Sequence, residues 1–165
     1  MAKIIENKHG VITFSDADLP VEGRNHNRVL FIPAEVKEKR TSYMMVDDGS
    51  AINVCPLQIL PNLGVKVEEL TKSDLVIRAY DDSTRSVEGT FVAPVKTGPI
   101  KTVVEFTVLN IPVTYALLLG RPWYHTLGGV PSTVHQKVKF LLDGEVVTID
   151  ASVSKTVSAV RDNQE

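Results

Sequence analysis

The sequence predicts a mostly β fold, a small closed β-barrel or folded sheet with one or two short helices. Three observations predict it. Apolar runs are short, and several alternate with polar residues at the two-residue period of a strand. Turn signals close or separate these runs, as at Asp47-Asp48-Gly49, Gly98-Pro99, Ile111-Pro112 and Asp143-Gly144. Helix signals are confined to two short stretches.

Residues 1–27 are polar and broken by His9-Gly10, Leu19-Pro20 and Glu22-Gly23. They are expected to be an extended arm with one apolar run, Val11-Ile12-Thr13-Phe14. Residues 28–150 form the predicted domain. Val29-Leu30-Phe31-Ile32, closed by Pro33, and Tyr43-Met44-Met45-Val46, closed by Asp47-Asp48-Gly49, read as strands. Pro56 to Leu63 suits one or two helical turns, since Pro fits the first helical position and Gly64 the stop. Leu75 to Tyr80 runs into Asp81-Asp82-Ser83-Thr84, a polar-tipped hairpin. Val104, Phe106 and Val108 alternate with Glu105 and Thr107, which puts the apolar set on one face of a strand. Pro122 to Leu127, before Gly128-Gly129, suits a second short helix. Val138, Phe140 and Leu142 alternate with Lys137, Lys139 and Leu141. Asp143-Gly144 then offers the positive-φ pair of a two-residue hairpin, from which Val146 to Ile149 return. Residues 151–165 read as a flexible tail.

Composition narrows the function. A chain of 165 residues suggests one domain, and 43% hydrophobic with 23% charged residues is an ordinary globular mixture. Lys and Arg number 18 against 20 Asp and Glu, a net charge of −2. That leaves no basic excess for a nucleic-acid partner. No apolar stretch approaches the ~20 residues of a membrane-spanning helix, and the N-terminus lacks the apolar run of a secretory signal. A soluble, cytoplasmic protein without a membrane partner is expected. The single Cys55 cannot form an internal disulfide and, lying in an apolar run before Pro56, reads as a buried structural thiol. His9, His26, His125 and His135 are scattered without zinc spacing, and no Gly-rich phosphate loop or Gly-x-Ser-x-Gly elbow occurs. No metal or cofactor is expected.

The informative stretch is Met44-Met45-Val46-Asp47-Asp48-Gly49-Ser50-Ala51, where an apolar strand delivers a carboxylate at its end and a Gly follows two residues later. Gly allows a sharp turn that brings backbone N–H groups to the carboxylate. Taken alone, Asp-x-Gly after a strand is usually only a turn. About 70 residues on stands Leu117-Leu118-Leu119-Gly120-Arg121-Pro122-Trp123, an apolar strand cut by Gly and followed by Arg. The hairpin from Val76 to Gly89 lies between them.

These three features in this order resemble the retropepsin-like aspartic proteases of LTR retrotransposons, specifically the gypsy-type elements of plants. The likeness rests on Val46 to Ala51, on Tyr80 to Gly89 and on Leu118-Leu119-Gly120-Arg121-Pro122-Trp123. Ile12 to Asp16, Gly23 to Arg28 and Val130 to Lys137 look like the family's flanking stretches, so the resemblance spans about residues 12–150.

The resemblance implies a retropepsin-like protomer that supplies one catalytic aspartate, Asp47, to a homodimeric endopeptidase acting on a polypeptide, the polyprotein of a retroelement. The sequence holds one strand-ending Asp-x-Gly with a matching Leu-Leu-Gly, so an active site needs two copies. It implies an active-site loop of Asp48, Gly49, Ser50 and Ala51, and a flap of Tyr80, Asp81, Asp82, Ser83 and Thr84 covering the substrate. Leu118, Leu119, Gly120 and Arg121 would support the loop, and strands within residues 137–150 would meet at the dimer interface. Two features depart from the family. Asp48 stands where a Thr or Ser usually follows the catalytic Asp, replacing a donor-acceptor hydroxyl with an acceptor-only carboxylate. Ala51 stands where viral members carry the acidic partner of the Arg at 121, so that ion pair is missing or rerouted. The alternative is therefore a catalytically degenerate remnant of the same fold, acting as a dimerisation or peptide-binding module. An unrelated small β-barrel binding domain is the third reading.

Overall fold

A computed structural model describes residues 3–7, 10–19, 29–78, 84–112 and 117–152. Strands β1 (Lys3–Asn7) and β2 (Gly10–Phe14) form an antiparallel hairpin. A second hairpin joins β3 (Leu30–Val36) to β4 (Lys39–Val46). Strand β5 (Val54–Pro56) runs through a 3-10 turn into the short helix α1 (Leu60–Leu63), stopped by Gly64 in the left-handed conformation. Strands β6 (Val76–Arg78), β7 (Thr84–Thr97) and β8 (Ile100–Leu109) follow, then β9 (Leu117–Leu119) and helix α2 (Arg121–Thr126). The described part ends with β10 (Val130–Ser132), β11 (Lys137–Leu142) and β12 (Glu145–Asp150). Both helical stretches and the Asp143–Gly144 turn, whose residues have φ of 53° and 83°, stand where the sequence predicts them.

The main sheet has the order β3-β4-β9-β5-β8-β7-β6. Strand β3 also pairs with β7 at Glu35↔Lys96 and Val36↔Val95, which folds the sheet back on itself. Of the two forms expected, folded sheet describes it. Alternation makes one face of it the core: Val104, Phe106 and Val108 of β8 are buried with Phe91, Ala93 and Val95 of β7. Trp123 and Tyr124 of α2 and Val138 and Phe140 of β11 complete this cluster, with Trp123 edge-on to Phe140. Cys55 is fully buried, and burial pushes its thiol up to about 12. Among the described residues no helix is long and apolar enough to cross a membrane.

Strands β10, β11 and β12 form a separate three-stranded sheet with β11 in the middle. Here alternation misleads at two positions, since Lys139 is buried and Leu142 is 38% exposed. The reason lies in residues 1–27. Within the segment expected as an extended arm, β2 carries the fully buried Ile12 and Phe14 against Val130, with Leu141 packed beside them. Lys139 donates to Thr13 O (2.9 Å) and to Asp18 Oδ2 (2.8 Å), with its ammonium 5.0 Å from the Phe14 ring centre. Burial alone would raise the Asp18 carboxyl. The hydrogen bonds from Lys139 and the Ser15 N–H and the charges of Lys139 and Lys137 outweigh it, holding Asp18 below its ordinary value. At the other end, Ser152 N–H donates to Phe31 O (2.8 Å), and tail residues 153–165 lie outside the described residues.

Candidate active site

Strand β9 lies between β4 and β5, parallel to β4 with Met45 opposite Leu118 and Val46 opposite Leu119. The chain from β4 to β5 must therefore pass around the end of β9, and that passage is residues 47–53. Asp47, half-buried, leaves β4 with its N–H donating to Leu119 O (3.0 Å), the last backbone bond in this direction. Gly49 N–H then donates to Asp47 Oδ1 (2.8 Å), and Ser50 N–H to Asp47 O (3.3 Å). The carboxylate is thus oriented by the backbone two residues ahead, as Asp-x-Gly promised.

The returning strand end is tied to the same loop. Arg121 N–H donates to Ser50 O (2.9 Å), and Arg121 Nη1 to the backbone O of the exposed Asp48 (3.0 Å). The Arg that would pair with an acid at position 51 is rerouted to a carbonyl, because Ala51 offers no carboxylate. Gly120 N–H donates to Asn53 Oδ1 (2.8 Å), and Asn53 Nδ2 donates to Glu105 O (3.2 Å). Asn53 O accepts Thr107 N–H (2.8 Å). The approach here is close: a Cβ on Gly120 would lie 2.3 Å from Ile52 O and 2.7 Å from Ser50 O. Ser50 Oγ turns inward onto Ile52 O (2.6 Å).

Asp47, Asp48, Gly49, Ser50, Leu118, Leu119, Gly120 and Arg121 are therefore gathered at one place. The expected flap residues Tyr80, Asp81, Asp82 and Ser83 lie outside the described residues. Thr84 opens β7, pairing with Arg78 of β6, so the base of that hairpin is described.

Two contributors escaped the sequence reading. Asn53 sits in an apolar stretch and carries no motif. Tyr124 is buried on α2 one turn beyond Arg121, hence on the same helix face. Burial, then the Asp48 carboxylate, pushes its hydroxyl up; Arg121 opposes this and Asp47 adds to it. The hydroxyl beneath the loop thus stays neutral. A second apolar cluster, distinct from the main core, adjoins the loop. Val54, Val87, Leu109 and Leu118 are buried in it, with Met45, Ile52, Ile77 and Ile111 packed against them. Met45 precedes Asp47 by two residues and so shares its side of the strand. An oriented carboxylate beside an aliphatic surface can activate a water over an apolar-flanked bond. Among the described residues, no three His, Cys, Asp or Glu side chains gather as a metal site.

No protein-family model matches the chain, and no curated protein sequence does. Solved structures do match. The retroviral protease-like domain of Ddi1 from Leishmania major aligns with a TM-score of 0.58 at 12% identity, covering 76% of this chain and 95% of that one. The EIAV protease, solved with an inhibitor, aligns at 0.52 and 14% identity, covering 66% and 96%. A retropepsin-like aspartic protease from Rickettsia conorii aligns at 0.51 and 16% identity, covering 77% and 86%. At such identities the likeness is one of fold: the chain has the retropepsin-like fold.

Proposed function

We propose that the chain is an aspartic endopeptidase, active as a homodimer with one Asp47 from each protomer. The observation that carries this is the loop of residues 47–53, bonded to Leu119, Gly120 and Arg121 so that Gly49 N–H holds Asp47 Oδ1 at 2.8 Å. Two such carboxyls brought together share one proton; the ionised one takes a proton from water while the protonated one polarises the peptide carbonyl. Residues 28–150 are the catalytic domain, with the N-terminal segment 1–27 before it, packed on it through Ile12 and Phe14, and 151–165 a tail. Residues 80–84 form the flap that covers the substrate and sheds water. Strands within residues 137–150 are the surface through which protomers meet, where β12 pairs, among the described residues, with β11 alone. The substrate is the cytoplasmic polyprotein of a retroelement, of the gypsy type found in plants.

Peptide hydrolysis at mildly acidic pH tests this. Asn at position 47 keeps an oxygen for Gly49 N–H, so Asp47→Asn is expected to leave thermal stability unchanged and to lower kcat/KM by on the order of 10⁴. Cleavage that survives Asp47→Asn refutes the reading. The exposed Asp48 favours one other reading, a dimeric peptide-binding remnant of the same fold. Dimerisation without cleavage by the wild-type chain would select it.

A further inference from the structure

A cleft of about 310 Å³ is lined by residues of β8 and α2 and by residues 51–53. Val103, 69% exposed, stands at its wall with Pro122, Asn53 and Glu105, and Trp123 lines it from the core. Trp123 is only 2% exposed, and among the described residues its Nε1–H finds no hydrogen-bond partner. An unpaired buried donor is costly, and natural folds rarely leave one without a partner supplied from elsewhere. Trp123 is among the residues that line the cleft, whose volume lies at the lower end of the range for ligand pockets. Glu105 is the one ionisable side chain among the described residues lining it, so its walls disfavour anions. Ile52 belongs both to this cleft and to the apolar cluster at Asp47, so the two surfaces are contiguous.

We propose that this cleft is a secondary peptide-binding site, taking a neutral-to-basic stretch of polypeptide substrate whose backbone carbonyl accepts the Trp123 Nε1–H. A carbonyl supplies the missing acceptor, the threonine hydroxyls of the walls suit peptide groups, and Glu105 favours a nearby cation. The proposal rests on the peptidase reading for the source of the peptide, and its test needs no cleavage.

Trp123 is the sole tryptophan, so one indole N–H resonance reports the site. The Asp47→Asn chain is titrated with N-acetylated, amidated leucyl-lysine and leucyl-glutamate. The lysine peptide should move the indole resonance downfield, and binding should be about two- to fivefold tighter than that of the glutamate peptide. Glu105→Gln should erase that preference. Val103→Arg, at an exposed position, should weaken binding about tenfold or more by covering the mouth and meeting Glu105 two residues along the same face. An indole resonance unmoved at tens of millimolar peptide overturns the proposal. So does a shift that Val103→Arg leaves intact, since the peptide would then be bound at the Asp47 site alone. Cleavage by the wild-type chain is read separately, so a failed exosite and a failed peptidase are distinguishable.

Discussion

Gly120→Ala is the sharpest probe of how the loop is held. Gly120 has φ −98° and ψ −166°, an extended conformation open to any residue, so backbone strain plays no part. The cost is contact alone. The new methyl would meet Ile52 O at 2.3 Å and Ser50 O at 2.7 Å, both backbone atoms that cannot swing aside. Restoring ordinary contact requires roughly 1 Å of separation between β9 and residues 50–52. That movement strains the two bonds crossing the gap, Arg121 N–H to Ser50 O at 2.9 Å and Gly120 N–H to Asn53 Oδ1 at 2.8 Å. Overpacking costs about 1–3 kcal/mol and each lost bond about 1 kcal/mol, so a loss of about 3–5 kcal/mol is expected. Against a total stability of about 5–15 kcal/mol this is large. Urea unfolding followed by Trp123 fluorescence measures it. Gly144→Ala is the comparison, since its Cβ would meet nothing within 4 Å and only its φ of 83° opposes substitution, at about 1–2 kcal/mol. If Gly120→Ala loses no more than Gly144→Ala, the close approach does not hold the loop and the reasoning fails.

The remaining predictions concern the N-terminal segment and the second acid. Asp18→Asn should destabilise the chain by about 1–2 kcal/mol at neutral pH, since Lys139 keeps Thr13 O but loses its counter-charge. Because the folded carboxyl lies below its unfolded value of 3.8, its contribution is present above that pH and disappears as pH falls through the lower folded value. Acid titration of both chains should show their stabilities converging below pH 3.8; a constant gap would contradict the assignment. Asp48→Asn should tighten self-association about two- to fivefold at pH 7.5 and low salt, with the gain shrinking as salt is added. Sedimentation equilibrium that shows weaker or unchanged association would count against two Asp48 side chains meeting near the dimer axis.

What was legible in the sequence was local. Val104, Phe106 and Val108 announce a buried face by alternation, Asp143-Gly144 announces a two-residue turn, and Pro56 to Gly64 marks where a short helix begins and stops. Each depends on residues within a few positions of one another. The turn at Lys37-Glu38 was not legible, because neither residue favours the positive φ of 53° and 68° that β3, held on one side by β4 and on the other by β7, imposes. Lys139 looked like a solvent-facing residue of an alternating strand, and its acceptors lie more than a hundred residues earlier, at Thr13 and Asp18. Asn53 is the same case at the site itself. Its partners are Glu105 and Thr107 of β8 and Gly120 just past the end of β9, which come together only after the fold has formed.

The bonds around Asp47 also explain which departures from the family pattern the protomer tolerates. Asp48 is engaged through its carbonyl by Arg121, Ser50 accepts Arg121 N–H through its carbonyl, and the Asp47 carboxylate takes a backbone N–H. None of these bonds depends on the side chain at position 48 or 51. The positions whose side-chain identity the protomer needs are instead Gly120, where a Cβ collides with backbone, and Asn53, whose amide links β8 to the start of α2. A carboxylate at 48 therefore leaves the single chain intact, and in the proposed homodimer its cost would fall on the assembly of two chains. The same division separates the two experiments: Gly120→Ala acts on unfolding, Asp48→Asn on association, and an effect of Asp48→Asn on unfolding of the protomer would mean that its side chain, and not its carbonyl, helps to hold the loop.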